Sequence, residues 1–144
     1  FSGSADWEAI AKIKNSLDIP VIANGDIKSS KDAIKCLEIT NADGVMIGRA
    51  SMGAPWLVGQ IDAEINSQKP FKTPDAKMKV DLALEHLKLL VSTKGEHGLL
   101  IARKHMNWTC RGFQGASALR HKLVRARTPN DAIQLLEEEL IKLN

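Results

Sequence analysis

Only two stretches of this sequence have the character of a β-strand, and both precede Arg49. The first, Ile19-Pro20-Val21-Ile22-Ala23, is short, apolar and β-branched, opens on a proline where a missing amide is tolerated, and closes on the turn Asn24-Gly25-Asp26. The second is Gly44-Val45-Met46-Ile47, cut by Gly48. Helical patterns alternate with them. Asp6 to Leu17 carries Trp7, Ile10, Ala11, Ile13 and Leu17 near helical spacing, with Asp6 able to cap and Glu8 in the first turn. Lys31 to Ile39 follows, capped by Ser29 or Ser30, and Met52 to Ile65 reads as a third helix entered through Gly53-Ala54-Pro55. Strands alternating with helices at this spacing imply βαβ units and a parallel sheet. Two strands cannot complete one, because buried parallel strands need neighbours on both edges and helices over both faces. Such a chain is either a fragment of a larger α/β domain or pairs its strands with another copy. A homo-oligomer through the open edges, or a rearranged first half, is therefore expected.

Beyond the segment 67–74, rich in proline and lysine, no strand signal returns. Asp75 to Thr93, Leu99 to Cys110, Ala116 to Arg125 and a helix capped by Thr128-Pro129-Asn130-Asp131 running to about Leu143 make a small helical bundle, with Gly112 and Gly115 marking a turn. The expected class is α/β plus α: 1–66 as βα units, 67–74 as linker, 75–144 as a helical domain.

Charge separates the two parts further. Between Lys94 and Arg127 eight cations face the single acid Glu96, so this stretch carries +7 and the remainder −4 of a net +3. A basic block beside an acidic remainder points to one surface for a polyanion. No apolar run reaches the roughly 18 residues of a membrane helix. The opening Phe1-Ser2-Gly3-Ser4-Ala5-Asp6 lacks a secretory pattern and an initiator Met, so residues upstream and a cytoplasmic setting are expected. Cys36 and Cys110 offer neither a disulfide framework nor a metal site, and His86, His97, His105 and His121 show no ligand spacing. Neither cysteine has a context that would activate its thiol, and no catalytic residue is assigned.

The strand ends are the candidate site. In parallel α/β folds ligands bind at the carboxyl ends of strands, and in eight-stranded barrels the loops after the last two strands commonly hold a phosphate. Here those ends are Asn24-Gly25-Asp26 and Gly48-Arg49, with glycines that expose backbone amides and an arginine fork suited to phosphate. Each motif alone reads more readily as a tight turn or a strand terminator than as a ligand site; their recurrence at equivalent positions of consecutive units favours a phosphate site. In the bundle, Arg103, Lys104, His105, Arg111 and Arg120 could follow a nucleic-acid backbone or form a solvated face, with Trp108 expected in the core.

The order of these motifs resembles a known family. Ile19-Pro20-Val21-Ile22-Ala23-Asn24-Gly25-Asp26-Ile27, then Ala42-Asp43-Gly44-Val45-Met46-Ile47-Gly48-Arg49-Ala50 with Gly53 and Pro55-Trp56, is similar to the end of the flavin barrel of tRNA-dihydrouridine synthases, bacterial B-type. Ile101-Ala102-Arg103-Lys104-His105, Trp108, Gly112 and Leu119-Arg120 resemble that family's C-terminal helical domain. The resemblance implies the last two βα units of a TIM (β/α)8 barrel binding FMN, reduced by NADPH, and reducing the 5,6-double bond of uridine in tRNA. It implies Asn24, Gly25, Asp26, Gly48 and Arg49 at the flavin phosphate and ribityl chain, and Arg103, Lys104, His105, Arg111 and Arg120 in the domain that grips tRNA. Met52 and Ala54 depart from the Gln and Arg common in that loop. The catalytic cysteine loop of the family has no counterpart in this sequence, so the chain alone is expected to be inactive. A stand-alone basic RNA-binding module, or a piece of another phosphate-binding barrel such as a dihydroorotate dehydrogenase-like enzyme, are the alternatives.

Overall fold

Side-chain caps set four of the helix starts among the described residues. The computed structural model describes residues 3–66 and 71–143, so the expected linker positions 67–70 lie outside the described residues. Helix α1, Trp7–Asn15, starts where the Asp6 carboxylate accepts from the Ala9 amide at 2.9 Å. Strand β1 is Ile22–Asn24, and α2, Ser30–Thr40, begins at Ser29, whose hydroxyl accepts from the Asp32 amide. Strand β2, Gly44–Met46, follows a left-handed Asn41 (φ 50°). A 3-10 turn at Arg49–Ser51 and α3, Trp56–Ile65, complete the βα part. Then come α4, Ala76–Lys94, capped by Asp75; α5, His97–Thr109; α6, Ala116–Arg125; and α7, Pro129–Lys142, which opens on a Thr128–Asp131 capping box.

The described residues form two compact units: 3–51 with 55–66 and 71–73, and 52–54 with 74–143. The first contains a two-stranded parallel sheet in the register Ile22↔Gly44, Ala23↔Val45, Asn24↔Met46. Ala23 turns inward onto a core of Ile27, Ala33, Cys36 and Ile61, with Trp7, Ile10, Val45 and Leu57 packed around it. The other sheet face is bare, with Ile22 and Met46 57% and 52% exposed. The chain here is mostly helical with a small parallel sheet, and the βα alternation expected from sequence is present, not rearranged.

Two boundaries differ from the sequence reading by more than two residues. The strand expected from Ile19 starts only at Ile22, because before that the Val21 amide donates to the Asp43 carboxylate (2.7 Å) and the Val21 carbonyl accepts from the Asp43 amide (2.9 Å). A side chain occupies a ladder position there, and Lys14 closes on the same carboxylate at 2.8 Å. The third helix starts at Trp56 rather than Met52, since Gly53 takes a positive φ of 77° that a helix does not accommodate.

The second unit is a four-helix packing built on Val80, Leu84, Leu87, Leu99, Met106, Leu119, Leu123 and Leu136. Burying each Leu stabilises by about 1.5–3 kcal/mol. Helices α4 and α5 approach closely at Gly98, where a Cβ would lie 2.4 Å from the Leu90 carbonyl oxygen. Glu139, expected on no core face, is 9% exposed, with its carboxylate beside Gly115 and 3.0 Å from Lys142 Nζ.

Candidate functional site

In the first unit, parallel pairing places Asn24 beside Met46, so the segments that leave β1 and β2 run side by side from the carboxyl edge of the sheet. Gly25 and Asp26 follow β1, both with positive φ, at 122° and 54°. Gly48 and Arg49 follow β2, and the Ser51 amide and hydroxyl both fold back on the Gly48 carbonyl, at 3.0 and 2.8 Å. Between the two segments lies an open recess of about 470 Å3 lined by Asn24, Gly25, Asp26, Ile27, Lys28, Met46, Gly48, Arg49 and Ala50. All five residues expected at a phosphate site are in that lining.

The two glycines are there for different reasons. Gly25 is required by its own fold: a Cβ would stand 2.5 Å from Ala5 Cβ, and its φ of 122° is one that side-chain-bearing residues rarely adopt. The segment Ala5–Trp7 grips this turn, the Ala5 amide donating to Asp26 Oδ2 at 2.7 Å and the Trp7 indole to the Gly25 carbonyl at 3.1 Å. Gly48 is different, because a Cβ there meets nothing within 4 Å and its φ is ordinary. No atom within 4 Å demands glycine at that position, and Gly48 lines the recess. Asp26 Oδ1 lies 3.7 Å from the Arg49 guanidinium, so the one acid of the recess is ion-paired and Arg49 remains 74% exposed. Glycine backbone, a cation and the first amides of a helical turn, which have no acceptor within their own turn, form a donor set for an anion.

In the second unit the five basic-block residues divide. The Arg103 guanidinium donates to the Ala126 carbonyl at 2.8 Å, just beyond α6, and Arg120 donates to the Cys110 carbonyl at 2.9 Å, at the end of α5. Lys79 closes on the Arg111 carbonyl at 3.2 Å. Three cations thus serve the carbonyl ends of helices, where unpaired C=O groups and the helix dipole favour positive charge. Arg111 Nε donates within its own helix turn to Asn107 at 2.9 Å. Lys104 is exposed, its ammonium 6.0 Å from the centre of the Trp108 ring. His105 is half-buried between His86 (ring centres 4.9 Å apart) and Trp108 (5.4 Å, edge-on). Its pKa is held below the usual imidazole value by burial first, and then by the neighbouring His86 and Lys104. Trp108 is half-buried, between core and surface.

The cysteines are fully buried, and burial pushes the Cys110 thiol up to about 12. Burial raises Cys36 as well, against the Thr40 hydrogen bond. Among the described residues no group of three or more His, Cys, Asp or Glu could hold a metal ion, and no helix is long and apolar enough to cross a membrane. Sequence reasoning missed Lys28, which lines the recess; a lone lysine after Asn-Gly-Asp-Ile carries no motif, and only the folded loop brings it to Arg49.

Comparison with known proteins converges on one group. The family model described as dihydrouridine synthase matches residues 1–144. A probable tRNA-dihydrouridine synthase 1 of Synechocystis sp. is 46% identical over 140 residues, covering 97% of this chain and 39% of that protein. A probable tRNA-dihydrouridine synthase of Rickettsia bellii is 43% identical over 121 residues, covering 83% of the chain and 37% of the relative. The tRNA-dihydrouridine synthase B of Xanthomonas axonopodis pv. citri is 37% identical over 139 residues, covering 96% and 42%. The chain therefore spans about two fifths of the length of these relatives.

Proposed function

We propose, from the premise that this chain belongs to the dihydrouridine synthase family, that it contributes a phosphate-binding half of a flavin site and a tRNA-gripping helical domain to a tRNA-dihydrouridine synthase. The first unit is the last two βα units of a (β/α)8 barrel. Its support is the bare sheet face: Ile22 and Met46 are apolar and exposed where a parallel sheet is ordinarily covered. Further strands of the barrel would cover that face; in isolation the same open edges favour self-association, which sedimentation reads directly.

The observation that carries the cofactor assignment is Gly48, a glycine that no atom within 4 Å requires, lining a recess together with Arg49. The phosphate of FMN would lie against Gly48 and Arg49, with Asn24, Gly25 and Asp26 toward the ribityl chain. When bound, a flavin reduced by NADPH would supply the hydride for the 5,6-double bond of a uridine. This chain's residues hold the anionic end of the cofactor and orient it; none of them is assigned to proton transfer. In the second unit, Lys104 and Arg111 present charge outward to tRNA, and His105 and Trp108 support Lys104. Arg103 and Arg120 belong to the same grip with one guanidinium edge tied to the protein. The setting is cytoplasmic, where tRNA is modified.

Two measurements on one preparation test this. Binding of unmodified tRNA across a salt series is expected to fall steeply with salt and to weaken in Lys104→Gln, each lost phosphate contact flattening the slope of log K on log salt by about 0.7–0.9. A uridine-reduction assay with NADPH, FMN and unmodified tRNA is expected to show no turnover by the chain alone. No binding at low salt would remove the tRNA grip, and turnover would refute the half-site.

A further inference from the structure

The charge balance of the recess is incomplete without one more cation. Arg49 lies 3.7 Å from Asp26, so the pair sums to zero, and an anion drawn to Arg49 meets a carboxylate beside it. A second recess of about 610 Å3, walled by Gly3, Ser4 and Ala5, adjoins the first and shares Gly25, Asp26, Lys28, Arg49 and Ala50 with it. Lys28 is thus the other cation that lines both. It is exposed and forms no ion pair among the described residues. Asp32, four residues on, feels the Lys28 charge but is occupied in capping α2, accepting from the Ser29 hydroxyl at 2.8 Å and from the Lys28 amide at 3.1 Å.

We infer that Lys28 is the second cation of the cradle, and that it selects a phosphate monoester in its dianionic form over a diester or an uncharged analogue. This rests on the phosphate assignment above and adds to it the residue that sets ligand charge. With Asp26 and Arg49 cancelling, Lys28 gives the recess a net positive charge, and its compact ammonium on a flexible stem can reach an oxygen that the Arg49 fork leaves free. A monoester dianion keeps a charged oxygen for each cation. A diester carries one charge and leaves the ammonium without a full partner.

The test follows backbone amide shifts of the labelled chain during titration with inorganic phosphate and, as the diester, dimethyl phosphate. Shifts at Gly25, Gly48 and Arg49 are expected, with phosphate bound about tenfold more tightly than the diester. Lys28→Gln is expected to remove that preference by weakening phosphate about tenfold, and Lys28→Arg to restore most of it. Because Lys28 is exposed, the spectra of both variants should otherwise overlay that of the parent. If Lys28→Gln binds phosphate as tightly as the parent while Gly48→Ala does not bind, Lys28 has no such role and the cradle stands. If the unsubstituted chain shows no shift with either ligand, both the cradle and the role of Lys28 fall.

Discussion

Gly25→Ala should cost the first unit far more than Gly48→Ala, although both remove a glycine from the end of a strand. At Gly25 the new methyl carries two penalties. The backbone at φ 122° lies where side-chain-bearing residues rarely go, which costs about 1–3 kcal/mol. The methyl also falls 2.5 Å from Ala5 Cβ, and relieving such overpacking costs about 1–3 kcal/mol more. Ala5 cannot retreat freely, because its amide is the donor 2.7 Å from Asp26. The sum, roughly 2–6 kcal/mol, is a large share of the stability of a unit this size, at roughly 0.05–0.15 kcal/mol per residue. At Gly48 no atom lies within 4 Å of the new methyl, and the change should stay within about 0.5 kcal/mol. Urea unfolding followed by amide signals of α1 and α2 reads the first unit separately from the second. In an Ala5→Gly background the steric part should vanish and the torsional part remain, so the cost of Gly25→Ala should fall by about half. A Gly25→Ala cost no larger than that of Gly48→Ala, or one unchanged in the Ala5→Gly background, would refute the packing argument.

Two further outcomes follow from the second unit. His105 titrates below the usual imidazole range, so between its folded and unfolded values the unfolded chain binds more protons; its contribution to stability is present above the unfolded pKa and lost as pH falls. Replacing His86 by Ala should raise the His105 pKa by removing a neighbouring positive charge, as imidazole NMR titration can read. The Cys110 thiol, pushed up to about 12 and fully buried, should resist alkylation at pH 8 in the folded chain and react once urea unfolds it, as mass spectrometry of the labelled peptide would show.

What the sequence disclosed and what it withheld differ in range. The caps Asp6 and Thr128, and Ser29 as one of two candidate serines, were legible because a cap bonds to an amide three residues away. That the glycine–aspartate and glycine–arginine strand ends line one recess was legible because parallel pairing of consecutive strands brings their ends together. The late start of β1 was not, since it depends on Asp43 reaching Val21 from beyond α2. Nor was the helix start at Trp56, which follows a Gly53 held at positive φ. A motif gives no sign that Gly25 answers to Ala5 while Gly48 answers to nothing inside the fold. The division of the basic block was hidden for the same reason: Arg103 and Arg120 bond carbonyls 23 and 10 positions away.

That division changes how a scan of the basic block would have to be read. Truncating Arg103 or Arg120 to Ala takes away a positive charge and unties a helix end in one stroke, so a drop in RNA affinity would carry a folding defect within it. Lysine scanning separates the two: charge is kept and the planar fork is lost. A position that tolerates Lys for RNA but not for melting temperature is a strut, and one that tolerates it for melting temperature but not for RNA is a hand.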